Sequence, residues 1–249
     1  MTAQKKTAYI SLQHVTKNFP LTSGVFTALD DVNIAFRSSE FTCVVGRSGS
    51  GKSTLMNMIT GIDKPTAGKI VVAGNPIQDF TENERAHWRG KNLGIVFQFY
   101  QLIPVLSLLE NVMLPMQLLG ETDLPKIEQK ALRLLAAVNL KDQAHQRPER
   151  VSGGQQQCAA IARALANDPP ILIADEPTGN LGSDDAAMVL DIFVNLVKEG
   201  KTVIMVTHDN DLAKQADRII HLSDGKVVGD SNHSHQKAAK KTRKTSHEK

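Results

Sequence analysis

Cysteine, long apolar runs and a dominant charge of one sign are all scarce in this 249-residue sequence. Its two cysteines, Cys43 in an apolar stretch and Cys158 in a helical one, are too few for a disulfide framework or a metal cluster, and both are expected to be reduced packing residues. No run of about 18 apolar residues occurs, so a membrane-spanning helix is not expected. The start, Met1-Thr2-Ala3-Gln4-Lys5-Lys6, is polar with no apolar segment behind it, which argues against a signal peptide and for a cytoplasmic chain. The formal net charge of +3 conceals a division. From Ser231 onward Lys237, Lys240, Lys241, Arg243, Lys244 and Lys249 face only Glu248, which is 6 − 1 = +5 and leaves 3 − 5 = −2 for the rest. Residues 1–230 are therefore read as one folded unit without a basic face for nucleic acid. Residues 231–249 are read as a disordered basic tail that solvates the chain or is weakly drawn to anionic lipid.

What remains is ordinary for a globular chain, 41% hydrophobic and 22% charged, and organised around one stretch. Val44-Val45-Gly46-Arg47-Ser48-Gly49-Ser50-Gly51-Lys52-Ser53-Thr54 reads as a buried strand, a glycine-rich loop and a helix start. Gly46, Gly51, Lys52 and Ser53 fill the fixed positions of the phosphate-binding pattern G-x-x-x-x-G-K-[ST]. Backbone N–H groups of residues 46–54 and the helix N-terminus suit phosphates. The Lys52 ammonium suits the β- and γ-phosphates, and the Ser53 hydroxyl suits Mg²⁺, a cation that takes oxygen donors. The ligand class is a nucleoside triphosphate.

Before this loop, residues 8–35 alternate apolar and polar positions around a turn at Pro20 to Gly24, an antiparallel hairpin pattern in which Phe19 offers a flat ring to a nucleobase. After it, Lys69–Val72 reads as a strand, and Thr81-Glu82-Asn83-Glu84 is a capping box for a helix ending near Gly90. Leu93–Phe97 reads as a strand with Gln98 at its C-terminal end. Residues 105–140 lose strand signals and carry leucine and methionine at helical spacing, punctuated by Pro104 and Pro115. Leu106, Leu108, Leu109, Val112 and Leu114 are candidate core, while Tyr100, Leu102 and Pro104 form a loop that can face a partner. Ser152-Gly153-Gly154-Gln155 is a second glycine-bearing helix start suited to an anion. Ile171–Glu176 reads as a strand ending in two carboxylates whose side chains face opposite ways, Asp175 toward Mg²⁺ and Glu176 toward the attacking water. Val203–His208 repeats the pattern with a histidine at its tip, and a closing hairpin spans Ile219 to Asp230.

Together these segments resemble the nucleotide-binding subunit of ATP-binding-cassette (ABC) transporters over about residues 8–230. Val151-Ser152-Gly153-Gly154-Gln155 resembles the LSGGQ signature. By position, Phe19 resembles the base-stacking aromatic, Gln98 the Q-loop glutamine and a Mg²⁺ ligand, Asp175 the Walker B carboxylate, Glu176 the catalytic base and His208 the switch histidine. The implied fold is an α/β P-loop NTPase of the ABC ATPase type, with an antiparallel β subdomain and a helical subdomain at about 99–165. The implied activity is ATP hydrolysis with Mg²⁺ in a head-to-tail homodimer. Each ATP there lies between one phosphate loop and Ser152, Gly153, Gly154 and Gln155 of the other subunit. The implied partner is an integral-membrane permease, met through the Q-loop and the helical subdomain at the cytoplasmic face of the membrane. Residues 96–104 and 175–181 look most like the lipoprotein-release and macrolide-export branch. Four positions depart from the family pattern: Ser39 for glycine, Val151 for leucine, Cys158 for arginine and Gly182 for an aspartate that helps connect the two sites. Slower or less cooperative turnover with intact ATP binding is expected from Gly182. The alternatives are a soluble ABC ATPase of translation or DNA repair, and a regulatory module that senses ATP without useful catalysis.

Overall fold

The computed structural model describes residues 8–22 and 24–232. In chain order the elements are β1 (Ile10–Leu21), β2 (Gly24–Phe36), β3 (Phe41–Val45), α1 (Lys52–Thr60), β4 (Ala67–Val72), β5 (Asn75–Pro76), α2 (Glu82–Asn92), β6 (Leu93–Val96), α3 (Leu108–Leu118), α4 (Leu124–Ala137), α5 (Gly153–Ala164), β7 (Ile171–Asp175), α6 (Ser183–Lys198), β8 (Thr202–Thr207), α7 (Asn210–Ala213), β9 (Arg218–Ser223) and β10 (Lys226–Asn232). They form two sheets, ordered β2-β1-β4-β5 and β10-β9-β3-β8-β7-β6.

The first sheet is antiparallel throughout. In the second, β3 lies parallel between β8 and β9, β7 and β6 continue the parallel run, and β10 closes one edge antiparallel to β9. A strand covered on both faces needs apolar residues everywhere rather than alternation. All five residues of β3 and all six of β8 are accordingly buried. One core packs α1 between the two sheets, with Leu55, Met58 and Ile59 against Ile10, Leu29 and Val206. A second lies on the opposite face of the parallel sheet, where α6 contributes Val189, Leu190 and Phe193. A third belongs to the helical region, where Leu108, Leu109 and Val112 of α3 meet Ile127, Ala131 and Leu135 of α4 and the small residues Ala159 and Ala162 of α5.

Arg218 ties the two sheets together. Its guanidinium donates to both Asp230 carboxylate oxygens at 2.7 and 2.6 Å and to the Ala35 carbonyl of β2 at 2.6 Å. That ion pair holds the Asp230 carboxyl below its ordinary range. Pro115, expected to punctuate, instead lies inside α3. The N–H that proline lacks would have bonded to Asn111. The Asn111 side-chain amide secures the helix start by donating to the carbonyls of Ile103, Leu106 and Ser107. Strand β10 runs two residues beyond the expected end, through Ser231 and Asn232; the basic tail from 233 onward lies outside the described residues. Cys43 and Cys158 are both buried and unpaired, and burial pushes their thiols up to about 12 and about 11.

Candidate functional site

Parallel strands deliver their C-terminal ends to one edge of the sheet, and ligands of such sheets gather there. At this edge β3 runs into the loop Gly46–Gly51, β7 ends at Asp175, β8 ends one residue before His208, and Gln98 follows β6 by two residues. These groups line a single cavity of about 1160 Å³, as do Arg47, Ser48, Gly49, Ser50, Lys52, Ser53 and Thr54.

The loop is shaped by its glycines and tied at both ends. Gly51 has φ 100°, and a Cβ there would lie 2.5 Å from the Ala28 carbonyl oxygen, so only glycine fits between the loop and β2. The Ser50 carbonyl accepts from the Gly225 N–H at 3.0 Å, which fastens the loop to the β9–β10 turn. Helix α1 starts at Gly51 with no side-chain cap, so its first N–H groups are open to the cavity. The Lys52 ammonium donates to the carbonyls of Gly46 and Arg47 at 2.8 and 3.0 Å, which holds a positive charge inside the loop.

The carboxylates separate in an unexpected way. Strand β7 stops at Asp175; Glu176 has φ 46°, a left-handed conformation off the strand, so strand alternation does not account for their different directions. Asp175 accepts a 3.1 Å hydrogen bond from the Ser53 hydroxyl. Burial raises its carboxyl above the ordinary range, Ser53 opposes the shift and the nearby Glu176 charge adds to it. Glu176 is held at both oxygens, accepting from Thr207 Oγ1 at 3.1 Å and meeting His208 Nδ1 at 2.9 Å. A strained backbone held by a hydrogen bond at each carboxylate oxygen marks a positioned group. Gln98 stands close by, with its carbonyl accepting from Asn180 Nδ2 at 3.4 Å.

Two predicted groups lie outside this cavity. Phe19 is not among its lining residues; the Lys17 ammonium sits 4.9 Å from the centroid of its ring. Its cross-strand partner Phe26, 49% exposed, does line the cavity, along with Ala28, His221 and Val228. Phe26 and Ala28 are two apart on β2 and share a face, and an aromatic at position 26 of a strand opposite Phe19 is the signal that could have pointed to it. Ser152, Gly153, Gly154 and Gln155 also lie outside it. Ser152 and Gln155 form a capping box: Ser152 Oγ accepts from the Gln155 N–H at 3.2 Å, and Gln155 Oε1 accepts from the Ser152 N–H at 2.9 Å. The Gln155 side chain therefore shapes the helix start.

Two side chains, one from a loop and one from the first turn of α6, reach that helix start. A Cβ on Gly153 would lie 2.8 Å from the Tyr100 hydroxyl oxygen, and one on Gly154 would run into the Asp185 carboxylate. Tyr100 and Gln101 both have positive φ, and Arg163, in the last turn of α5, donates to both of their carbonyls at 2.9 and 2.5 Å. The Gln98 loop is thus hydrogen-bonded to the last turn of α5 and packs closely on its first. A second cavity of about 770 Å³ opens beside it, between Arg89 of α2, Gln101, Leu118 of α3 and Arg163. Phe99 and Leu118 are 71% and 76% exposed.

The sequence profile described as ABC transporter matches residues 29–179. This chain belongs to the ABC transporter family. The lipoprotein-releasing system ATP-binding protein LolD of Aquifex aeolicus is 43% identical over 207 residues, 82% of this chain and 91% of LolD. The macrolide export ATP-binding/permease protein MacB of Bartonella henselae is 40% identical over 93% of this chain, which spans only 35% of MacB. Among solved structures, the dimeric post-hydrolysis state of the ATP-binding cassette MJ0796, bound to ADP and Pi, superposes with a TM-score of 0.84. It is 39% identical, over 90% of this chain and 98% of MJ0796. The fold is the α/β P-loop NTPase fold of ABC cassettes, and the chain is an ATP-binding and ATP-hydrolysing subunit of the ABC transporter kind. No helix among the described residues is long and apolar enough to cross a membrane.

Proposed function

We propose that this ABC ATPase uses Glu176 to orient or deprotonate the attacking water, with His208 and Gln98 completing the γ-phosphate end of the site. The observation that carries the reading is the single cavity on which the phosphate loop, Gln98, Asp175, Glu176 and His208 converge. Phosphoryl transfer needs positioning and charge stabilisation more than covalent chemistry from the protein. Backbone N–H groups of residues 46–54 and the Lys52 ammonium hold the phosphates. Phe26 on the cavity wall offers the base a flat apolar surface, and its cross-strand partner Phe19 extends that surface beyond the cavity. The close oxygen donors Ser53 and Asp175, with Gln98 beside them, fit Mg²⁺, which would offset the charge of the β- and γ-phosphates. Thr207 and His208 fix the Glu176 carboxylate, and His208 lines the same cavity, where it would meet the γ-phosphate.

Ser152, Gly153, Gly154 and Gln155 do not line this cavity, and their part in the reading is played on a second copy. A head-to-tail homodimer places each signature turn over the partner's ATP, which closes the dimer; ATP shifts that equilibrium only by its differential affinity for the closed state. The cavity beside Gln101 and Arg163, with the exposed Phe99 and Leu118, is the surface for a membrane permease of the lipoprotein-release and macrolide-export kind. The chain then works as a peripheral subunit at the cytoplasmic face of the membrane.

Glu176→Gln tests the reading. ATP binding and ATP-dependent dimerisation are retained, while turnover falls by about 100-fold or more, the scale of losing a positioned base. Full activity in this variant overturns the assignment. Purified from detergent-solubilised cells with Mg²⁺ and ATP, the same variant is expected to bring a membrane permease with it; recovery of soluble partners alone overturns the transport reading.

A further inference from the structure

Helix α5 begins with an anion-binding reading and a carboxylate already beside it. The three atoms that a Cβ on Gly154 would meet first all belong to the Asp185 carboxylate, so little more than hydrogen separates that charge from the first helical turn. Gly154 is buried, while Ser152 two residues earlier is exposed. Asp185 is the third residue of α6, whose N-cap Gly182 offers no side-chain hydrogen bond. Among the described residues no hydrogen bond or ion pair engages the Asp185 side chain. Its field extends along the same face of α5: one turn on, the buried Cys158 thiol is pushed up first by burial and then by Asp185. Position 158 is a cysteine, so no cation there offsets the charge.

The first N–H groups of a helix carry partial positive charge, and a carboxylate within the first turn draws on the same field that would hold a second anion. We propose that Asp185 is an affinity-setting residue of the ATP-bound dimer. Its charge at Gly154 weakens the hold of the signature turn on the partner subunit's triphosphate, so that closure needs more ATP than the signature alone would require. The inference rests on the head-to-tail reading above. It needs no change in chemistry within one cavity, because Asp185 is absent from the residues lining it.

The test uses the full chain carrying Glu176→Gln, with the ATP concentration for half-maximal dimerisation measured by sedimentation. Adding Asp185→Asn lowers that concentration about two- to five-fold at low salt, and the difference shrinks as salt rises from ~50 to ~500 mM. Asp184→Asn makes the same charge change in the same turn on an exposed side chain and leaves the midpoint unchanged. In the chain with Glu176 intact, Asp185→Asn lowers the ATP concentration for half-maximal hydrolysis with kcat within about two-fold. Asp185→Ser serves as a second uncharged variant and shifts the midpoint in the same direction. An unchanged or raised midpoint, equal shifts from positions 184 and 185, or a shift indifferent to salt overturns the inference. A parent that stays monomeric with ATP removes the head-to-tail reading and this inference together. A dimerising parent indifferent to Asp185→Asn removes the inference alone.

Discussion

Helices α1 and α5 both begin at glycine-bearing turns suited to phosphate, yet the chain finishes them differently. At α1 the N-cap is Gly51 in a left-handed conformation, no side chain caps the helix, and the open N–H groups face a cavity walled by the ends of β3, β7 and β8. At α5 the N-cap Ser152 and Gln155 satisfy one another, Ser152 is exposed, and Tyr100 and Asp185 press on the two glycines. The first start is concave and electrostatically unfilled, so a triphosphate alone can complete it. The second lies outside that cavity and is partly satisfied, so under the proposed function it needs another surface to bring the anion. Under the proposed function, the difference lets two motifs of similar residue content divide the work of binding and of switching.

The sharpest way to break this comparison is to disable each start in turn. Lys52→Ala is expected to weaken ATP binding about 100-fold, the scale of losing a charge-assisted contact to phosphate. Ser152→Ala leaves ATP binding to the isolated subunit unchanged, yet lowers turnover about 10-fold or more and costs α5 about 1 kcal/mol of capping. Fluorescent-nucleotide titration and steady-state hydrolysis separate the two effects. Equal loss of binding from both substitutions contradicts the division.

A smaller effect tests the α1 side by pH. Burial raises the Asp175 carboxyl, and a protonated carboxyl no longer attracts a divalent cation. The gain in ATP affinity on adding Mg²⁺ is therefore expected to fade with acidification at a higher pH than an exposed aspartate would give. The linked stability has the opposite sign. A raised native pKa means the folded chain holds this proton more tightly than the unfolded one, so Asp175 adds stability as pH falls through it. Calorimetric titration with and without Mg²⁺ across pH measures the first effect, and loss of the pH dependence in Asp175→Asn checks its source.

The smallest effect concerns the loop leading to α6. Gly182 has φ −67° and ψ 166° with nothing within 4 Å of a built Cβ, so Gly182→Asp enters without strain. It supplies the missing N-cap for a few tenths of a kcal/mol, about one degree in Tm for a chain of this size. Hydrolysis is expected to become faster and more cooperative with ATP binding unchanged; rate and cooperativity that do not move contradict a role for this position.

Features settled within a few residues were legible before the fold was known. The Thr81–Glu84 capping box forms as read, with Thr81 Oγ1 accepting from the Glu84 N–H and Glu84 returning a bond to the Thr81 N–H. Strand β3 has the expected bounds, Phe41–Val45. Leu108, Leu109 and Val112 are core as expected, whereas Leu114 turns toward the second cavity because its face of α3 borders the groove rather than α4. The reading failed where distant segments compete for one residue. Glu176 keeps the ladder bond from its N–H to the Val206 carbonyl of β8 but turns off the strand at φ 46°, where its side chain meets Thr207 and His208, partners about thirty positions away. Phe26 lies on the cavity wall while Phe19 does not, a matter of how the hairpin lies against the nucleotide edge.

By itself the amino-acid sequence determined the glycine-rich loop between β3 and α1, the helix starts and the family, because turns, caps and buried strands are written in contacts between near neighbours. The tertiary structure alone decided which carboxylate faces Ser53 and which faces His208, and that Tyr100 and Asp185 meet the signature glycines. Those depend on strand order β10-β9-β3-β8-β7-β6 and on the packing of α5 beside α6, and no local spacing encodes which chain ends such packing will bring together.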